Sequence, residues 1–288
     1  MPEGDTVWLA GRRLDDALGG EVLRGSDFRV PQLATADLSG RTVREVLSRG
    51  KHLLTRIDDD LTLHTHFRMD GSWHLYRPGD RWRGGPDWQV RVVLSTASWQ
   101  AVGYRLPVVE LLARDREVDA VGHLGPDLLG PDWDLDEAVR RLAADPGREV
   151  GQALLDQRNL AGIGNLYKAE VCFLSGVSPW TPVGRIDRVD LAAAVERAQR
   201  LLAANKDHPW QSTTGERGRG RDHWVFERAG RPCRRCGTPV ASAEQGDPPY
   251  QRITYWCPRC QPGPAPDPPT GGRGGRAPRT SGRTRYRP

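Results

Sequence analysis

Two cysteine pairs near the C-terminal end, Cys233-x2-Cys236 and Cys257-x2-Cys260, constrain this chain more than any other feature. Each pair forms a knuckle, and the residues between the knuckles suffice for a β-hairpin. Four thiolates at this spacing close a tetrahedron around one Zn²⁺, and four sulfurs leave no position for water or substrate. The ion is therefore expected to be structural, supplying folding free energy rather than chemistry. A redox dithiol or an iron site would use the same residues; ligand softness and geometry favour zinc. The fifth cysteine, Cys172, lies in an apolar helical run and reads as a core thiol.

A finger of this kind needs a body, and 288 residues are enough for two domains with separate cores. Apolar positions at Val7, Ala10, Leu14 and Leu18 predict a helix from residue 3 to about 18. Short β-rich runs follow at 22–30, 42–48, 52–57, 61–66, 73–77, 90–95, 100–104 and 108–112. Asp, Gly and Pro clusters separate them, the pattern of a sandwich or barrel. A junction is expected from Gly125-Pro126-Asp127 through Pro131-Asp132, and then the periodicity becomes helical at 135–144, 149–157, 166–175 and 191–205. The polar stretch 206–222 is expected to be a mobile loop, and a short β unit at 224–227 leads into the finger. The predicted fold class is thus α+β. A β-sandwich domain with a leading helix covers 1–132 and a helical domain 133–232. The four-cysteine hairpin takes 233–261, and a disordered, basic, Pro/Gly-rich tail 262–288.

The net charge of +5 and pI near 9.1 do not by themselves argue for nucleic acid. Six arginines and no acid lie between Arg273 and Pro288, so the body is near neutral and only local clusters can carry a binding argument. No apolar run approaches the roughly 18 residues of a membrane span. The acidic start, with Glu3 and Asp5, is unlike a signal peptide, so a cytoplasmic location is expected.

Four local features carry chemistry. Pro2 permits removal of Met1, which leaves a secondary amine beside Glu3. An α-amine titrates near 8 against about 10.4 for lysine, so it is neutral near pH 7 roughly a few hundred times more often. The neutral amine attacks carbon. Glu3 is placed to act as a general acid, or merely to complement a helix N-terminus. Lys51, in Arg49-Gly50-Lys51-His52, is a catalytic or phosphate-binding ammonium or an ordinary surface lysine. In Asp156 through Tyr167, the Gly162-x-Gly164 turn lets amides at the next helix start approach a phosphate, with Asn165 as a further donor; a ligand-free helical hairpin is the alternative. Arg252 lies in the hairpin spacer near Tyr255 and Trp256, and Arg231, Arg234 and Arg235 flank the first knuckle. A cation with aromatics on a rigid hairpin suits a DNA backbone.

Taken in order, Met1-Pro2-Glu3-Gly4, Arg49 to His52, Asp156 to Tyr167 and the terminal finger resemble the formamidopyrimidine-DNA glycosylase / endonuclease VIII (Fpg/Nei) family over residues 1–261. The resemblance implies a two-domain clamp on DNA with a helix-two-turn-helix and a zinc finger. It also implies a bifunctional glycosylase and AP lyase of base excision repair. By carry-over Pro2 is the nucleophile, Glu3 the acid, and Lys51 works beside them. Asn165 and Arg252 grip phosphates together with Lys51, and Met69 is the wedge inserted where a nucleotide has left the stack. The implied partner is damaged DNA, double- or single-stranded, met by a monomer associated with the nucleoid. Two departures bear on substrate. Asp5-Thr6 replaces the family's second glutamate, and the region Tyr104 to Val109 holds no placeable equivalent of the Arg-rich, Phe-containing loop of the Fpg branch. Both resemble the endonuclease VIII side, which implies oxidised pyrimidines. The rival readings are an Fpg-like enzyme for oxidised purines and a catalytically inactive zinc-finger DNA-binding homologue.

Overall fold

A computed structural model describes residues 2–218 and 220–266. Most of the expected tail, 267–288, lies outside the described residues. Of its first residues, which are exposed, Pro264 accepts one hydrogen bond from the Ser178 hydroxyl.

The chain opens with α1 (Gly4–Leu18), then β1 (Gly25–Phe28), β2 (Val43–Arg49), β3 (His52–Ile57), β4 (Leu61–His66), β5 (Ser72–Tyr76), β6 (Val90–Ser95), β7 (Gln100–Tyr104) and β8 (Val108–Ala113). The strands form two four-stranded antiparallel sheets, ordered β1-β6-β7-β5 and β2-β3-β4-β8. Alternation decides what each strand buries. Leu53, Ile57, Leu63, Val92, Leu94 and Val109 join Val7, Leu14 and Leu18 of α1 in one core. The leading helix is amphipathic because that face must cover the sandwich.

A short helix α2 (Glu117–Val121) leads to the helical half: α3 (Leu135–Ala143), α4 (Val150–Leu155), α5 (Asn165–Leu174) and α6 (Arg188–Asn205). Asp134 and Asp187 cap α3 and α6 by accepting from the amides of Glu137 and Val189. A second core gathers Val139, Leu154, Ile163, Phe173, Val195 and Leu202 with Cys233 and Cys257 of the finger. The finger's hairpin is β9 (Ala241–Gln245) paired with β10 (Arg252–Trp256). None of the described helices is long and apolar enough to cross a membrane.

One expectation fails here, and a single buried side chain explains it. Residues 224–227 form turns rather than a strand, because the buried Glu170 carboxylate of α5 accepts from the amides of Trp224, Val225 and Phe226 and so takes the donors a ladder needs. Within the 206–222 stretch, Ser212 and Thr213 are held by hydrogen bonds. Thr213 donates to Glu170, and Ser212 is held by Asn205.

Candidate active site

Five segments surround one cavity of about 320 Å³: the residues ahead of α1, the β2–β3 turn, the β4–β5 turn, the α4–α5 connection and the finger hairpin. Of the six non-metal residues singled out from sequence, Pro2, Lys51, Met69, Asn165 and Arg252 line this cavity. The sixth, Glu3, has no exposed surface.

Glu3 sits at the N-terminus of α5, not merely at that of its own helix. One carboxylate oxygen accepts from the Gly164 amide at 2.7 Å and the other from the Leu166 amide at 2.8 Å. Free amides and the helix dipole favour a negative charge there. Burial opposes it and wins, raising the Glu3 pKa to about 7 even though the Lys51 charge pulls the other way. The two glycines of the α4–α5 turn serve this contact. A Cβ on Gly164 would lie 2.6 Å from the Glu3 carboxyl carbon. The Gly4 amide donates to the Gly162 carbonyl at 2.9 Å. The expectation that these amides await a phosphate is therefore corrected: the protein's own carboxylate occupies them.

Lys51 follows Gly50, whose φ of +57° turns the chain. Asp127 accepts from the Gly50 amide at 2.6 Å and Asp132 from Arg49 at 2.8 Å, fastening this turn to the domain junction. The Lys51 ammonium donates to the Ile163 carbonyl at 2.6 Å. Burial pushes its pKa down to about 8; the Glu3 charge resists this and the Arg252 charge adds to it. Asn165 donates its side-chain N–H to the Ile253 carbonyl at 2.8 Å, tying α5 to the hairpin, while its own buried Oδ1 has no hydrogen-bond partner among the described residues.

Arg252 is exposed, and its one hydrogen bond among the described residues is to the adjacent Gln251 carbonyl. The aromatics expected beside it face elsewhere. Trp256 is buried edge-on against Trp180, and Tyr255, on the opposite face of the strand, packs on Phe226, so both rings are taken up by the protein's own packing. The aromatic that shares the cavity with Arg252 is Tyr250, 78% exposed. Arg234 donates to the carbonyls of His223 and Gly220, and Arg235 lies over the Phe173 ring, so these two hold the knuckle to the body. Met69 stands 56% exposed at the cavity rim.

Sequence reasoning missed three groups. Asp5 is buried, accepting from the Tyr167 hydroxyl at 2.6 Å and from Gln211 at 2.8 Å; no local pattern links residues so far apart in the chain. His66 also lines the cavity and is held neutral, its pKa pushed down to about 4 by burial and the Lys51 charge. Arg148, just ahead of α4, and Gln152, within it, also line the cavity.

In the finger, the four cysteine sulfurs lie within 4.8 Å of one another, with Cys233–Cys260 at 3.9 Å and Cys236–Cys257 at 3.5 Å. Zn–S bonds of about 2.3 Å predict tetrahedral edges of about 3.8 Å, so the donor set fits a closed four-thiolate centre. Cys172 is buried in the helical core.

Residues 1–105 match the formamidopyrimidine-DNA glycosylase N-terminal domain, and 124–208 match the formamidopyrimidine-DNA glycosylase H2TH domain. A probable endonuclease 8 2 of Streptomyces coelicolor is 61% identical, covering 97% of this chain and all of that protein. The DNA-(apurinic or apyrimidinic site) lyase Nei2 of Mycolicibacterium smegmatis is 47% identical over 91% of this chain and 99% of its own. Among solved structures, the Lactococcus lactis Fpg in complex with DNA containing an abasic site superposes with a TM-score of 0.75. It covers 91% of this chain and all of that one at 22% identity, a likeness of fold.

Proposed function

The chain belongs to the formamidopyrimidine-DNA glycosylase / endonuclease VIII family, and from that premise we propose how its cavity removes a damaged base and then cuts the strand. The protein is a bifunctional DNA glycosylase and AP lyase of base excision repair, and damaged DNA is its partner. The observation that carries the residue assignment is the gathering of Pro2, Lys51, Asn165 and Arg252 on one cavity with Glu3 buried at its base.

With Met1 removed, the Pro2 nitrogen bonds to the sugar C1′ as the glycosidic bond breaks. Glu3, with a pKa near neutrality, is half protonated at working pH and gives its proton to the opening sugar or the departing base. The iminium left on Pro2 acidifies the C2′ hydrogen. Loss of that proton expels the 3′ phosphate, and water then frees the amine. Lys51 sits between Glu3 and the phosphates, and Asn165 and Arg252 hold the backbone on either side of the extruded nucleotide. Met69 fills the vacated stack.

Residues 1–132 supply the chemistry in this reading, 133–232 the helix-two-turn-helix support, and 233–261 the finger. Cys233, Cys236, Cys257 and Cys260 hold one structural Zn²⁺. Oxidised pyrimidines are the favoured lesions. Only Arg105, Leu106 and Pro107 connect β7 to β8, and Leu106 is buried, which leaves no loop to read the opposite base. Borohydride trapping on an abasic-site duplex tests the lyase chemistry, with a covalent adduct at Pro2 expected. Excision from duplexes carrying 5-hydroxyuracil or 8-oxoguanine tests the substrate, and release of the purine alone would overturn the pyrimidine assignment.

A further inference from the structure

The Met69 turn is held from outside itself. Phe67, 3% exposed, anchors one end in the sandwich core. The Gly71 amide donates to the Phe67 carbonyl at 2.9 Å, and a Cβ on Gly71 would lie 2.7 Å from that oxygen, so the turn closes tightly. The Arg68 amide donates to His66 Nδ1 at 2.9 Å. The remaining fastening comes from Arg105. Because Ser72 pairs with Tyr104, the residue after β7 stands beside the end of the turn. Arg105 Nε donates to the Asp70 carbonyl at 3.0 Å, Nη1 donates to Gln89 Oε1, and its own amide donates to the Gln89 carbonyl at 2.8 Å.

Backbone conformation points the same way. Four described non-glycine residues have left-handed φ, and two of them, Arg68 at +45° and Arg105 at +49°, belong to this assembly. Such conformations are disfavoured for residues with a Cβ and persist where surrounding contacts over-determine them. Neither acceptor of the Arg105 side chain is a carboxylate. The guanidinium is thus used for its planar fork, which reaches two carbonyl oxygens at once.

We propose that Arg105 is a positioning residue for nucleotide extrusion: it locks the Phe67–Gly71 turn so that Met69 enters the duplex as a rigid wedge. This rests on the reading of Met69 as the wedge. Rigidity matters because a side chain that orders only on insertion pays its conformational entropy at that moment. With no reading loop between β7 and β8, Met69 works without a partner from that connection, so the brace carries more of the extrusion step.

The test is single-turnover excision of 5-hydroxyuracil from a duplex, with 2-aminopurine beside the lesion to report unstacking. Arg105→Ala should slow unstacking and excision about ten-fold, the scale of one or two charge-assisted hydrogen bonds removed. Arg105→Lys should be nearly as slow, since an ammonium cannot span both acceptors. Gln89→Ala should give a smaller loss by removing one anchor. The Met69→Ala, Arg105→Ala pair should be no slower than Met69→Ala alone, because both changes disable one wedge. Thermal unfolding midpoints of all variants check folding. A wild-type rate in Arg105→Ala, full rescue by Arg105→Lys, or losses that multiply in the double variant would each overturn the brace. Met69→Ala with unimpaired unstacking would instead remove the wedge reading itself.

Discussion

The two sides of the cavity are built on opposite principles. On the catalytic side, Glu3 is wholly buried, held by two amides of α5 and shifted to a pKa of about 7, and Lys51 is shifted down to about 8. On the finger side, Arg252 and Tyr250 stand in solvent with few contacts of their own. Acid–base chemistry near neutral pH needs a carboxyl kept partly protonated, and here desolvation, with a smaller push from the Asp5 charge, provides that. Gripping a phosphate needs a full charge, which water keeps intact, and the gain comes when counterions leave the DNA. One side is finished before substrate arrives; the other is completed by it.

The sharpest way to break this comparison is to block the Pro2 amine. Protein that retains Met1 or carries an N-terminal extension should lose both base release and borohydride trapping. Activity in protein shown by intact mass to be blocked would move the nucleophile elsewhere, with Lys51 next. Glu3→Gln should lower base excision by about 10²–10⁴, the usual contribution of a general acid. Cleavage at a preformed abasic site should fall much less, because no base remains to be protonated. The same assignment fixes the pH profile: Glu3 acts only when protonated, with a pKa of about 7, and an α-amine with an ordinary pKa of about 8 only when neutral, so wild-type base excision should peak between those values and decline on the alkaline side. A single-turnover rate that rises with pH and then holds level to about pH 10, with no alkaline decline, would count against Glu3 as the acid.

The other side responds to different tools. Stripping the metal should unfold the hairpin and release both the Asn165–Ile253 and the Lys168–Thr254 hydrogen bonds. Affinity for lesion duplex should then drop by about a hundred-fold, toward the non-specific level. Recovery on adding Zn²⁺ back, followed by affinity and melting, checks this. Arg252→Ala should cost least, about ten-fold in affinity, and should flatten the dependence on log salt by roughly 0.9, the share of the single phosphate that its charge neutralises. An unchanged salt slope would remove Arg252 from the backbone contacts. Both finger changes should leave the pH profile of excision where it was, which keeps the two sides separable.

Legibility in the sequence followed distance along the chain. The strand runs at 52–57, 61–66, 90–95 and 100–104 coincide with β3, β4, β6 and β7, because β-rich composition and the turn residues that bound it are local properties of the chain. The four-cysteine cluster was readable for the same reason, since both knuckles are short segments of fixed spacing. Segment 224–227 was misread because its amides belong to Glu170, more than fifty residues away. The aromatics beside Arg252 were misassigned because spacing places Tyr255 and Trp256 near it without revealing that they pack on Phe226 and Trp180.

By itself, the sequence determined which chemical groups are present and in what order: an amine-generating proline, a neighbouring carboxyl, a lysine at a turn, a Gly-x-Gly helix junction and four thiolates. The tertiary structure decided what each group is. It brought Glu3 against the amides of Gly164 and Leu166 and, by excluding water, made an ordinary carboxylate into an acid near neutrality. It gave Asp5 to Tyr167 and Gln211, and it fastened the Met69 turn with an arginine from another hairpin. Composition is set residue by residue, whereas desolvation and hydrogen-bond partnership are properties of what the fold places in contact.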